Sequence, residues 1–234
     1  GSEMCIRDRG ESLFLSGDID ELGANEENRA VMMDYQGDGL WKYTMELPAS
    51  AKKFHYEYLV KSGEGIRREW GSPHSFSPGR NAGKYRLVDR WRDVPANLPF
   101  YSSAFIQGIF FRQHADSVVE TIEQGTFTVK VDAPQLRPDE RLVMVGDCPE
   151  LGDWDVLKAP LLNDSAFPEW QITLDGRQLK FPFEYKFVIV RTHQREVVAW
   201  ETGENRICRE KPQNPSEAVV VSGLRFNGSE SQWR

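Results

Sequence analysis

Shifted by 129 positions, the chain meets itself. At that shift Gly17, Asp18, Glu21, Leu22, Gly23, Ala30, Trp41, Thr44, Phe54 and Tyr56 fall on Gly146, Asp147, Glu150, Leu151, Gly152, Ala159, Trp170, Thr173, Phe183 and Tyr185. Ordinary composition would give roughly three identities over such a window. The shift is far longer than the roughly 20–50 residues of a solenoid repeat, so the chain carries a duplicated domain. Its 234 residues suit two domains of ordinary size. Past Tyr56 and Tyr185 the register is expected to slip by one, through a one-residue change in the hairpin. That slip brings Trp70 onto Trp200 and Gly71 onto Glu201.

Both copies read as strands. Phe183-Glu184-Tyr185-Lys186-Phe187 and Thr126-Phe127-Thr128-Val129-Lys130-Val131 alternate apolar and polar residues, the period-two pattern of half-buried strands. In the first copy Leu13–Ser16, Leu40–Leu47, Phe54–Lys61, Arg67–Trp70 and Lys84–Val88 are the candidates, with Gly and Pro clusters between them. The fold class is therefore all-β. Nothing ahead of Gly17 matches the Thr126–Val131 strand, so the first strand of the first copy is expected to be missing. The leader Gly1–Arg9 shows neither period and is expected to lie outside the fold. Between the copies Asp93–Phe100 reads as a linker, followed by the aromatic-rich segment Tyr101–Arg112. Free linkers are polar, so that segment is expected to pack against a neighbouring domain.

Composition excludes several functions. A net charge of −7 and a pI near 5.3 argue against nucleic-acid and anionic-membrane partners, which need a basic surface. No apolar run approaches a membrane span, and the polar N-terminus lacks the apolar core of a signal peptide. Cys5, Cys148 and Cys208 form neither a paired framework nor a metal spacing. Reduced thiols in a cytoplasmic protein are the simplest reading. His55, His74, His114 and His193 are dispersed, and no phosphate loop or nucleophile elbow appears. No metal, cofactor or catalytic residue is expected in this chain. Asp147, Asp153, Asp155 and Asp164 could supply a glycosidase carboxylate pair, but sandwich loops are routinely acidic.

The second copy carries ordered motifs: Leu151-Gly152-Asp153-Trp154, then Pro168-Glu169-Trp170, then Phe183–Phe187, then Trp200-Glu201 ahead of Asn205-Arg206. This order resembles the starch-binding domain of carbohydrate-binding module family 20. The resemblance implies two tandem immunoglobulin-like antiparallel β-sandwiches, residues 10–91 and 125–226. Residues 92–124 would be the aromatic-rich linker, and 227–234 the start of a connection to a further domain. It implies an α-1,4-glucan partner held by Trp154, Lys186, Trp200, Glu201 and Asn205. A flat indole suits the C–H face of glucose while neighbouring polar groups bond its hydroxyls. Trp154 and Trp200 are both expected on loops. The family's second site makes Tyr35, Trp41 and Trp170 weaker candidates, although the loop before Trp170 has no tyrosine and that residue reads better as structural. The first copy departs at the principal site, with Asn25 on Trp154 and Glu57 on Lys186.

The segment from Pro99 to Arg112 is similar to the inter-module connection of type-two disproportionating enzymes, 4-alpha-glucanotransferases of glycoside hydrolase family 77. That likeness implies a catalytic barrel after Arg234 and a role in glycogen metabolism. A binding-only adaptor that targets another protein to glycogen is the alternative, with a small glycosidase behind it.

Overall fold

The computed structural model describes residues 2–3, 11–48, 50–80, 83–93 and 120–228. Among them are strands and single turns of 3-10 helix but no α-helix. The first repeat contributes β1 (Ser2–Glu3), β2 (Ser12–Gly17), β3 (Val31–Met32), β4 (Asp34–Gly37), β5 (Leu40–Lys42), β6 (Phe54–Ser62), β7 (Gly65–Arg68), β8 (His74–Phe76) and β9 (Tyr85–Asp89). The second contributes β10 (Thr126–Asp132), β11 (Glu140–Gly146), β12 (Asn163–Ala166), β13 (Glu169–Asp175), β14 (Phe183–Arg191), β15 (Val197–Trp200), β16 (Arg206–Cys208) and β17 (Ala218–Arg225). The chain divides into two compact units, Gly1–Ala82 with Asp89–Ile122, and Gly83–Val88 with Glu123–Arg234.

The second unit is a sandwich of two sheets. One runs β12-β13-β10-β17-β9; the other runs β11-β14-β15, with β16 also paired to β14. Alternation along β14 sorts its residues cleanly. Phe183, Tyr185, Phe187 and Ile189 enter the core with Phe127, Val129, Val131, Leu142 and Met144. Glu184, Lys186, Val188 and Val190 face the other way. Burying the four inward residues of β14 contributes on the order of 6–12 kcal/mol before entropy is counted. β10 and β17, the first and last strands of the repeat, run parallel with a bulge between Val129 and Val131, while β10 and β13, β12 and β13, β11 and β14, β14 and β15, and β14 and β16 pair antiparallel.

The first unit has sheets ordered β3-β2-β6-β7, with β8 on β6, and β1-β5-β4. Phe54, Tyr56 and Tyr58 of β6 point inward, where Phe54 meets Phe76 edge-on at 5.6 Å and Tyr56 stacks on His74 at 5.1 Å. The Tyr56 and Tyr58 hydroxyls donate to the buried Asp89 carboxylate at 2.8 and 2.6 Å.

Three features depart from the sequence reading. The leader is not wholly outside the fold, because Ser2 and Glu3 pair with Trp41 and Leu40. The strand expected at Lys84–Val88 forms, but it extends the second unit's sheet beside β17, where the Ala218 amide donates to the Lys84 carbonyl at 3.0 Å. Its Val88 lies in the second unit's core. Within the expected linker, Ile122 is buried in the first unit, its amide bonded to the Ser77 carbonyl at 2.8 Å. The aromatic segment Tyr101–Arg112 lies outside the described residues, as do 229–234.

Candidate functional site

The turn after β11 sets the first platform. Gly146 closes against the β14 backbone, where a Cβ would collide with the Glu184 carbonyl. A 3-10 turn, Pro149–Leu151, then ends on Gly152 at φ 82°. Asp153 and Trp154 continue in the left-handed region at φ 50° and 64°, and the Trp154 amide returns to the Gly146 carbonyl at 2.7 Å. The first repeat builds the same turn from Gly23, Ala24 and Asn25, with the Asn25 amide on Gly17 at 2.7 Å. Asparagine tolerates this conformation, whereas a tryptophan held there costs about 1 kcal/mol. The ring is kept against local preference.

That ring packs partly on an apolar patch of Val143, Val145, Ala159, Val188 and Val190 on the outer face of the β11-β14-β15 sheet. Trp200 ends β15 directly opposite Val188, and opposed residues share a face. Trp200 is therefore on a strand end rather than a loop, and the residue is 43% exposed. Lys186 lies two residues before Val188, so it shares that face as well. Its Nζ donates to the carbonyls of Glu201 at 3.3 Å and Gly203 at 2.5 Å, leaving one of three donors. Asn205 Nδ2 donates to Glu184 Oε2 at 2.8 Å, and its carbonyl oxygen is left as an acceptor. Four of the five expected residues thus border one face of β14, along Glu184, Lys186 and Val188.

Glu201 does not join them, and its assignment is corrected. It is 3% exposed and turned inward, as strand alternation after an outward Trp200 requires. Arg206 Nε donates to both Glu201 oxygens at 3.0 Å, and Nη2 to Oε2 at 2.9 Å. Glu201 Oε1 also accepts the Phe187 amide at 3.0 Å. The carboxylate is spent inside the sandwich. Arg206 and Glu184 are the structurally engaged residues that the sequence reading did not single out. Arg206 was visible only as the residue closing the Asn205-Arg206 motif.

The weaker second-site residues divide. Trp170 is 2% exposed in the second unit's core, so it has no face to offer a sugar. Trp41 is also buried. Tyr35 is 54% exposed, its ring 5.0 Å from Trp41 at 51°, and its hydroxyl accepts the Gly39 amide at 3.3 Å.

In the first unit the equivalent face is charged. The expected match of Trp70 with Trp200 fails, because β7 places Arg68 opposite Leu59 as β15 places Trp200 opposite Val188. Glu69 accepts the Tyr58 amide at 3.2 Å, standing where Glu201 stands, and His74 takes the place of Arg206 opposite Tyr56. Arg68 pairs with Glu57 and, at 2.6 Å, with Glu27. Burial pushes the Glu57 carboxyl up against the pull of Arg68. A cleft of about 170 Å³, lined by Ser16, Asp18, Asn25, His55, Tyr56, Glu57 and Pro73, occupies the corner where the second unit has Trp154. No tryptophan lines it.

A family model described as "Starch binding domain" matches residues 6–81 and 124–219. Among solved structures the chain is similar to the family 20 module of the maltotetraose-forming amylase from Pseudomonas saccharophila STB07, at 20% identity over 42% of this chain and 99% of that one, TM-score 0.34. It is also similar to the family 15 glucoamylase from Hypocrea jecorina, at 18% identity and TM-score 0.35, covering 45% of this chain but only 18% of the glucoamylase. A family 26 module of Amy13K from Eubacterium rectale, solved in complex with maltoheptaose, matches at 12% identity and TM-score 0.25 over 100% of this chain and 97% of that module. No curated protein matches the chain.

Proposed function

The chain belongs to the starch-binding domain family, and on that premise we propose that its second unit binds α-1,4-glucan on the outer face of the β11-β14-β15 sheet. Trp154 and Trp200 stack on sugar rings, while Lys186 and Asn205 bond their hydroxyls. The observation that carries this reading is that both tryptophans border one outer face, Trp154 from a strained turn packed on the valine patch and Trp200 from a strand end opposite Val188 of that patch. The family 26 module solved with maltoheptaose makes that oligosaccharide a reasonable probe. Affinity should be modest, near micromolar, because both platforms are partly wet.

The chain itself does no catalysis on this reading. Asp147 accepts the Glu184 amide, and Asp155 accepts the Leu157 amide and pairs with Lys158, so two of the four aspartates weighed for a glycosidase are occupied in loop structure. The wider role is the non-catalytic half of a cytoplasmic 4-alpha-glucanotransferase, holding polymer near a following catalytic barrel and raising its effective concentration. The resemblance of the Pro99–Arg112 segment to the inter-module connection of those enzymes supports it. Sequence downstream of Arg234 separates this role from that of a glycogen-targeting adaptor.

Calorimetric titration with maltoheptaose tests the site. Losing a stacked Trp should remove roughly 2 kcal/mol or more, over tenfold in affinity. Trp154→Ala and Trp200→Ala should each show that loss, and Trp70→Ala should bind as the unmodified chain does. If Trp70→Ala loses binding while Trp200→Ala keeps it, the pocket has been placed in the wrong unit.

A further inference from the structure

We infer that Asn227, two residues past the last strand, is a positioning residue of the glucan site, holding the 201–205 loop in its binding shape. The inference rests on the glucan-binding reading above. The loop connects the Trp200 platform to Arg206 of β16, and both proposed polar contacts depend on it. Lys186 Nζ is anchored on its Glu201 and Gly203 carbonyls, and Asn205 is its last residue.

From behind, the loop is tied to the turn that follows β17. Asn227 Oδ1 accepts the Thr202 amide at 2.8 Å. Asn227 itself sits at φ 60°, a left-handed position that asparagine accepts at little strain, and the Gly228 amide closes the turn on the Arg225 carbonyl at 2.9 Å. Arg206 fastens the same turn a second time. Its Nη2 donates to the carbonyls of Arg225 at 2.8 Å and Gly228 at 3.2 Å, while the same guanidinium grips Glu201. The turn is thus clamped on Arg206 and reaches over to order Thr202.

Asn227 is exposed, outside the core, and none of its recorded bonds reaches a tryptophan. Removing its oxygen should leave the fold alone but free the Thr202 amide. A loop ordered only when sugar arrives must lose that freedom at binding. One hydrogen bond of ordinary net strength corresponds to about fivefold in affinity.

The test uses Asn227→Gly, which keeps the left-handed turn and removes the acceptor, and Asn227→Asp, which keeps both. Maltoheptaose titration of the full chain is read together with amide exchange at Thr202. The expected result is about fivefold weaker binding and faster Thr202 exchange for Asn227→Gly at an unchanged melting temperature, with Asn227→Asp restoring both. Unmodified affinity or unmodified Thr202 exchange in Asn227→Gly overturns the inference. Trp200→Ala is run alongside: if it binds normally, the site reading has failed and this inference with it. The Thr202 exchange then reports separately whether Asn227 orders the loop.

Discussion

Replacing Glu201 by glutamine separates a sugar ligand from an internal clasp. The Glu201 and Arg206 side chains are 1% and 5% exposed, joined at 2.9 Å. Glutamine can still accept the Phe187 amide through its carbonyl oxygen, but its amide group would face the guanidinium donor to donor. Arg206 would keep its charge while losing the Glu201 carboxylate that faces it. Removing one member of a buried pair costs about 3–5 kcal/mol, because the other charge is left uncompensated. That is a large part of a domain's total of about 5–15 kcal/mol. At about 4 °C or more per kcal/mol for a domain near 100 residues, the second unit should melt at least about 12 °C lower. Scanning calorimetry on the full chain reads this directly. Maltoheptaose identifies the relevant transition, since a ligand raises the melting temperature only of the unit that binds it. A Glu201→Gln chain that melts normally yet binds maltoheptaose more than tenfold weaker would refute the reasoning, and would return Glu201 to the sugar.

Other outcomes follow from the same geometry. Burial pushes the Cys148 thiol up to about 11, so at pH 8 alkylating reagents should label its peptide far more slowly in the native chain than in urea, by mass spectrometry. Burial alone would raise the Glu69 carboxyl, but His74 and Arg92 hold it below the ordinary range. Its stabilisation is present above the unfolded value, about 4.3, and is lost as pH falls through the lower folded value. An acid titration followed by circular dichroism should therefore show the first unit losing stability below about pH 4.3. Burial and then Asp89 push the Tyr58 phenol well above its usual value. That contribution is intact below about pH 10 and fades as pH rises toward the folded value, so ultraviolet titration should find Tyr58 ionising only with unfolding. Trp154→Asn should lose glucan binding while leaving the melting temperature nearly unchanged, since asparagine already occupies this left-handed position in the first repeat.

The duplication and most strands were legible because they are periodic. Identities at one shift and alternation along Phe183–Phe187 are local signals. The Glu201 placement was hidden by a single assignment. Once Trp200 belongs to a strand rather than a loop, alternation turns Glu201 inward, but its run of Glu, Thr, Gly and Asn reads as loop from Glu201 onward. Trp70 misled by identity. The β14–β15 connection is three residues longer than the two-residue turn between Ser62 and Gly65, and only the observed register shows that Arg68 answers Trp200. The destination of β9 had no local signal either, because strand pairing across such sequence distances is decided by which ladder is open.

The contrast between the repeats shows how a duplicated sandwich can change one face and keep its fold. On β6 and β14 the inward residues stay aromatic, Phe54, Tyr56 and Tyr58 against Phe183, Tyr185 and Phe187. The outward positions differ entirely, Glu57 against Lys186, with Asn25 against Trp154 and Arg68 against Trp200 on neighbouring elements. Period two puts core and site on opposite sides of one strand, so substitution on one side leaves the other intact. The ion pairs that replace the platforms add little, since exposed pairs are worth about 0–1 kcal/mol and the Arg68 side chain is 40% exposed. Stability therefore does not account for the charged face. On the glucan-binding reading, the outer-face site belongs to the second sandwich, and the first keeps the fold with a different surface.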